Sequence, residues 1–376
     1  MPTKNIRPFH TVLVANRGEI ALRVLRTVRR LGYGAVAVYS EADRGSPHVQ
    51  AADRAVCIGP AAPAQSYLNI EAILQAARLA GADAIHPGYG FLSENPELAE
   101  ICARRGIKFI GPDADVIRQM GDKIEARKAM IAAGIPCTPG SEGNLADLEE
   151  ARQLAAKIGY PVMLKATNGG GGRGIRRCND EKELIGNYDR VISEASKAFG
   201  KPEVFLEKCV VNPRHIEVQV IADSHGNVIH LYERDCSIQR RNQKLIEIAP
   251  SPQLSEAQRE YIGNLAVKAA KAVGYENAGT VEFLLDSDNT FYFMEMNTRL
   301  QVEHTVTETI TGIDIVQEQI RIADGQELQY KQDEVKYRGF AMEFRINAED
   351  PKNDFLPSFG KITRYYAPGG PGVRMD

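Results

Sequence analysis

The chain has 376 residues, of which 43% are hydrophobic and 25% charged, a composition that excludes a disordered chain, a collagen and a long coiled coil. Its length suits two or three domains, each large enough to bury a core without disulfide staples. Lys and Arg number 46 against 49 Asp and Glu, a formal charge of −3, so a general nucleic-acid binder is disfavoured and any anion site must be a local cluster.

The opening stretch MPTKNIRPFHTVLVANRG lacks the apolar segment of a signal peptide, and no run approaches the roughly 18 apolar residues of a membrane span. Cys57, Cys102, Cys137, Cys178, Cys209 and Cys236 are scattered without a CxxC or a Cys/His pair, as expected of reduced cysteines. These features predict a cytoplasmic protein with neither membrane nor nucleic acid as partner.

Residues 11–15 read as a buried strand, after which Ile20, Val24, Val28 and Leu31 fall on one helical face. Strands follow at 35–39, 84–86 and 108–110, with helices at 69–80 and 96–105. This alternation predicts a doubly wound parallel sheet with its ligands beyond the carboxyl ends of the strands. The loops Asn16–Glu19 and His86–Asn95 occupy that edge. The first is not a GxGxxG fingerprint, so dinucleotide binding gains little support. Residues 113–133 are expected to be helical up to Gly134, and 136–143 reads as a linker. Then come a strand at 160–165, the loop NGGGGRG, a second short strand and a helix over 180–199. Two hairpins follow, 216–222 with 228–233 and 279–285 with 291–297, separated by a helix over 255–273. A further strand is predicted at 340–346.

Four clusters carry chemistry. On the second hairpin, alternation places Glu295, Asn297 and Arg299 on one face and Met294 and Met296 on the other, towards a core. With Glu282 on the partner strand, this gives two carboxylates and an amide oxygen, a hard-oxygen set suited to Mg²⁺. A solvated face with ion pairs is an equal alternative for the hairpin taken alone. NGGGGRG has no following Lys-Ser/Thr and is not a P-loop. It reads as a glycine flap over phosphates, with Lys165 at the end of the preceding strand. Arg234, Arg240, Arg241 and Lys244 lie within eleven residues and suggest an anion site, or else a solvated basic loop. Glu303, in Gln301-Val302-Glu303-His304, is a candidate general base near Arg299. Together these point to a nucleotide–Mg²⁺ enzyme acting on a small anion.

In order along the chain, HPGYGFLSEN, MGDK, KATNGGGGRG, RDCSIQRR, EMNTRLQVEH and FRINAED resemble the biotin carboxylases of the ATP-grasp superfamily, nearly collinearly from about His10 to the end. The resemblance implies an α/β fold: an N-terminal doubly wound (pre-ATP-grasp) domain over 1–113 and a helical connection over 114–135. A mobile lid over 136–205 and an ATP-grasp core of hairpins and helices over 206–330 follow. Residues 331–376 would be the start of a C-terminal domain that in the family runs some tens of residues further.

It also implies ATP-dependent carboxylation of biotin by bicarbonate. Lys123 and Lys165 would bind the ATP phosphates under Gly171 and Gly172 of the lid. Glu207, Lys208 and Val210 would line the adenine, and His215 would contact the nucleotide. Glu282, Glu295 and Asn297 would hold Mg²⁺ or Mn²⁺. Lys244, Arg299, Gln301 and Val302 would seat bicarbonate, Glu303 would be the base, and Arg345 would stabilise the biotin enolate. Many family members have His where Asn242 stands near the nucleotide; Asn can donate a hydrogen bond but carries no charge. Asn168 stands where another lid glycine is common. Without a Met-Lys-Met biotinylation site, the biotin would arrive on a carrier protein or domain. A carboxyltransferase and a second copy of the chain would be further partners. The alternatives are another ligase using carboxyphosphate, such as a carbamoyl-phosphate synthase half, and a non-catalytic nucleotide-binding assembly subunit.

Overall fold

The computed structural model describes residues 8–167, 174–199, 203–358 and 360–376. Strands β1 (Thr11–Val14), β2 (Gly34–Tyr39), β3 (Arg54–Cys57), β4 (Ala84–His86) and β5 (Lys108–Phe109) alternate with helices α1 (Gly18–Arg30), α2 (Pro47–Ala51), α3 (Ile70–Ala80) and α4 (Pro96–Arg104). The strands form one sheet in the order β3-β2-β1-β4-β5, every pairing parallel. Asn69 caps α3 through the Ala72 N–H, and Gly81 ends it in the left-handed conformation at φ 63°. Leu13 packs into the core under α3 and α4, whereas Val12 and Val14 face α1, the alternation a doubly covered strand requires. The strand order reverses between β1 and β4, and the two predicted edge loops meet there. The Asn16 side-chain amide donates to the carbonyls of Pro87 at 2.8 Å and Tyr89 at 2.7 Å.

The single helix predicted over 113–133 is two, α5 (Ala114–Gly121) and α6 (Lys123–Ala132). Asp122 breaks it: its backbone is extended, and its carboxylate accepts from the N–H groups of Ile124 and Glu125. A side chain that caps its own backbone outcompetes helix continuation here. Helices α7 (Leu148–Ile158) and α8 (Glu181–Phe199) pack on a small antiparallel sheet, β7-β6-β8, made from β6 (Val162–Ala166), β7 (Ile175–Cys178) and β8 (Val204–Lys208).

The largest sheet is antiparallel, in the order β13-β12-β9-β10-β11-β14. It comprises β9 (Arg214–Ala222), β10 (Val228–Arg240), β11 (Gln243–Ala249), β12 (Asn277–Leu285), β13 (Phe291–Asn297) and β14 (Ala341–Phe344). Helix α9 (Glu256–Ala272) covers one face over Ile216, Val218, Val220, Val281 and Phe283. Helix α10 (His304–Thr311) follows β13, and α11 (Ile315–Ala323) joins the parallel-sheet core to Ile221, Ile229 and Leu231. A short pair, β15 (Glu349–Asp350) with β16 (Leu356–Pro357), ends the fold.

Two bulges override simple alternation. Strand β10 gains a residue between His230 and Glu233, where Tyr232 has φ 67°. The parity flip turns Arg234 to the face of Glu217 and sends Glu233 to α9, where it pairs with Arg259. Strand β13 slips at Met294, so Phe293 and Met296 enter the core and Met294 does not, against the expectation that Met294 and Met296 share that face.

The predicted basic loop is a hairpin. Arg240 pairs with Gln243 across a two-residue turn in which Arg241 and Asn242 have φ 54° and 63°. Such a turn needs two left-handed residues, which favours Asn at 242.

Candidate active site

The face of the large sheet opposite α9 carries polar side chains on strands that are otherwise apolar. On β9, Glu217 and Gln219 alternate with Ile216, Val218 and Val220, and on β12, Thr280 and Glu282 alternate with Val281. At its centre Lys244 on β11 donates to Glu282 at 3.0 Å and Glu303 at 2.7 Å, and also to Glu217. Burial disfavours the ammonium ion, but the three carboxylates outweigh it, and Lys244 is held well above the usual lysine range.

Glu303 is completely buried at the N-cap of α10. One oxygen accepts from Lys244, and the other accepts from Arg345 Nη2 at 2.8 Å. Arg345 also donates through Nε to Glu247 at 2.7 Å. His215 lies 2.6 Å from Glu282 and receives a contact from Gln239 at 2.8 Å on its other ring nitrogen. Burial opposes charge on Glu282, yet Lys244 and His215 hold its carboxyl well below the usual range.

Arg299 spreads its guanidinium over Glu94 at 2.8 Å, Gln301 at 3.0 Å and the Asn297 oxygen at 3.0 Å. Glu94 comes from the loop after β4, so the parallel-sheet unit supplies a wall of this site. It also accepts from the Thr298 backbone N–H at 3.1 Å. Arg299 and Glu303 do not touch, but Glu303 is among the charges that raise the Arg299 pKa.

Lys123 opens α6, half-buried near Glu295 and Lys165, and desolvation lowers its pKa against the pull of Glu295. Lys165 on β6 forms an ion pair with Glu207 on β8. The Lys208 ammonium turns back to the carbonyls of Gly159 at 2.9 Å and Tyr160 at 3.0 Å. The Val210 carbonyl accepts from the Cys209 thiol at 3.7 Å, and Val302 offers its carbonyl to His304 Nδ1 at 3.2 Å. Asn242 is exposed at its hairpin tip. Gly171 and Gly172 lie outside the described residues.

Glu282 and Glu295 stand directly opposite each other in the β12–β13 register. Burial, then the charge of Glu282, pushes the Glu295 carboxyl up, with Lys123 opposing. Two facing carboxylates, one of them destabilised as an anion, fit a divalent cation. Asn297 donates its amide to Glu282 at 2.9 Å and turns its oxygen to Arg299, so that rotamer offers such an ion no oxygen. The carboxylate-and-imidazole group whose ligand atoms lie within 4.8 Å is a different set, His215, Glu217 and Glu282.

Of the four predicted basic residues, Lys244 stands at the centre of this site and Arg234 in its buried floor, while Arg240 and Arg241 turn away. Arg234 is fully buried, with Nε on Glu217 and its terminal nitrogens on Gln219, Thr307 and Thr280 at 2.9–3.1 Å. Arg240 pairs with Glu349 and lies over the Phe355 ring at 4.0 Å, and Arg241 pairs with Asp354. The sequence reading omitted Glu94, Glu217, Gln239 and Glu247. Glu217 was discoverable, since buried polar residues alternating through 216–222 leave few roles but a site. Glu94 lies in the 86–95 loop expected at the ligand edge, but its pairing with Arg299, 205 residues along the chain, is set by the tertiary structure alone.

Residues 8–117 match the family model for the biotin carboxylase N-terminal domain, 122–331 that for the carbamoyl-phosphate synthase L chain ATP-binding domain, and 343–376 that for the biotin carboxylase C-terminal domain. Over 366 residues the chain is 56% identical to biotin carboxylase 1 of Bacillus subtilis, covering 97% of this chain and 81% of that one. The chain belongs to the biotin carboxylase family. It is also 57% identical to the 2-oxoglutarate carboxylase small subunit of Hydrogenobacter thermophilus, covering 98% of this chain and 78% of the relative. The biotin carboxylase domain dimer of that carboxylase, solved with MgADP, ADP and bicarbonate, superposes with a TM-score of 0.93 at 57% identity, over 96% of this chain and 80% of that one. A biotin carboxylase from Campylobacter jejuni superposes equally well, TM-score 0.93 at 55% identity, over 96% of this chain and 81% of that one. The expected family, fold class and activity are borne out.

Proposed function

We propose that this biotin carboxylase uses ATP, Mg²⁺ and bicarbonate to carboxylate biotin held on a separate carrier. The observation that carries the reading is Glu303, completely buried and bonded on one oxygen to Lys244 and on the other to Arg345. A buried carboxylate beside two cations is placed to take a proton from an anion those cations attract.

In this reading Lys244 and Arg299 seat bicarbonate, Arg299 offering a planar fork that suits a planar oxyanion. Gln301 and Val302 complete that seat. Glu303 removes the bicarbonate proton, making it a nucleophile towards the γ-phosphorus of ATP. Lys123 and Lys165 spread the charge of the transferring phosphoryl group, and Gly171 and Gly172 are assigned to the same phosphates by motif alone. Glu282 and Glu295 would hold Mg²⁺, with Asn297 joining only after its amide rotates; the ion would supply charge neutralisation at the phosphates. Carboxyphosphate then breaks down to CO₂ and phosphate beside the biotin ureido ring; the phosphate takes the N1 proton, Arg345 stabilises the ureido oxygen as it gains charge, and N1 attacks CO₂ to form carboxybiotin. Glu207, Lys208, Val210, His215 and Asn242 belong to the nucleotide side, with Glu207 exchanging its partner Lys165 for the nucleotide.

The division at 113, 135, 205 and 330 goes with this reading. So do a carrier and a carboxyltransferase, supported by relatives named as carboxylase subunits, a homodimer, supported by the dimer solved for the Hydrogenobacter thermophilus relative, and a cytoplasmic location. Among the described residues no helix is long and apolar enough to cross a membrane. The test is phosphate release from ATP. It should require both bicarbonate and Mg²⁺ and rise with free biotin; hydrolysis indifferent to biotin would point to another carboxyphosphate ligase.

A further inference from the structure

Arg345 lies one residue beyond β14, and its backbone N–H still bonds the Leu245 carbonyl of β11 at 3.1 Å. Its guanidinium is held from two sides, Nε by Glu247 at 2.7 Å and Nη2 by Glu303 at 2.8 Å. The two carboxylates differ in what the reaction asks of them. Glu303 changes charge when it takes the bicarbonate proton, and a neutral carboxyl grips a guanidinium far less firmly than a carboxylate. Biotin needs Arg345 after that proton has moved. Glu247 has no part in the proton transfer, so its hold does not change.

The surroundings of Glu247 agree. It is completely buried on β11, directly opposite Glu343 of β14. Its second oxygen has no hydrogen-bond partner among the described residues. A buried carboxylate bonded through one oxygen and facing another acid opposes folding. Retaining it makes sense for what it does to Arg345.

We propose that Glu247 is a positioning residue that keeps Arg345 in place while Glu303 carries the proton. This rests on the reading of Arg345 as the group that serves biotin. The experiment measures two rates on the purified chain with MgATP: bicarbonate-dependent phosphate release without biotin, and carboxylation of free biotin with its kcat and KM. Glu247→Gln keeps the shape and removes the charge. It should lower kcat for biotin roughly tenfold, the difference between a charge-assisted and a neutral hydrogen bond, and by a larger factor than it lowers the biotin-free rate. Glu247→Asp keeps the charge on a shorter stem and should recover part of the loss. Equal losses in both rates would mark Glu247 as merely structural, and an unaffected biotin rate would remove it from the reaction; either overturns the proposal. Should Glu247→Gln fail to fold, the ratio of the two losses in Glu247→Asp decides by the same criterion. Arg345→Ala separates the two failures: if it spares the biotin rate, the underlying reading of Arg345 is wrong, whatever Glu247 does.

Discussion

Replacing Arg234 with Met is the sharpest structural test of the active-site floor. Both Arg234 and its partner Glu217 are fully buried. The guanidinium ties β9, through Glu217 and Gln219, to β12 through Thr280 and to α10 through Thr307. Met restores most of the volume but no donor. One charge-assisted bond is lost, worth roughly 1.5–3 kcal/mol, and the Gln219 oxygen is left buried without its donor at roughly 1–3 kcal/mol. The two threonine hydroxyls can rotate to other acceptors and add little. Lys244 still faces Glu217, so that carboxylate is not left wholly uncompensated. The sum is about 2.5–6 kcal/mol, which brackets the roughly 3–5 kcal/mol for breaking a buried ion pair from one side. That is a large part of a typical domain stability of about 5–15 kcal/mol. The chain has no tryptophan, so urea unfolding is best followed by circular dichroism and tyrosine fluorescence. A loss below about 1 kcal/mol at unchanged m-value would refute the claim that Arg234 pins three elements. Arg234→Lys should be nearly as damaging, because an ammonium cannot reproduce the fork.

Glu303→Gln should lower turnover by roughly 10²–10⁴, the effect of a positioned base, while ATP binding measured by calorimetry changes little; a wild-type rate would take Glu303 out of the mechanism. Asp122→Ala removes the cap of α6, so a loss of about 1 kcal/mol and a raised KM for ATP are expected, the latter because Lys123 is the first residue of that helix. Burial, with Glu247 and Glu303 adding to it, pushes the Glu343 carboxyl up to about 7 against a hydrogen bond from Thr305. The folded state therefore keeps a proton that the unfolded chain releases near the ordinary carboxylate value. This stabilisation is present below that value and disappears as pH rises towards 7. Thermal melts of Glu343→Gln should fall less than wild type over about pH 5 to 8, and parallel curves would contradict the assignment.

The periodicity of the first 110 residues carried the parallel sheet, since strands covered on both faces and helices covered on one leave patterns that local sterics and burial impose. Both hairpins were legible for the same reason. The clusters around Lys165, Glu295 and Glu303 stood out because charged residues bounded apolar strands. Arg234 shows where that legibility ends. Strict alternation puts it on the same face as His230, but one extra residue in β10 turns it into the polar floor. Nothing local marks that bulge. Met294 repeats the lesson on β13, and Asp122 shows a cap overruling a helical pattern.

Composition and pattern thus determined most of the parallel-sheet elements, the two hairpins and the kind of chemistry. Tertiary structure alone decided that Glu94 reaches Arg299 from another sheet, that Arg240 and Arg241 pair with Glu349 and Asp354, and that Lys244 meets three carboxylates. The physical reason is that secondary structure follows from interactions a few residues apart, whereas a buried charge settles wherever the whole fold supplies opposite charge in low dielectric.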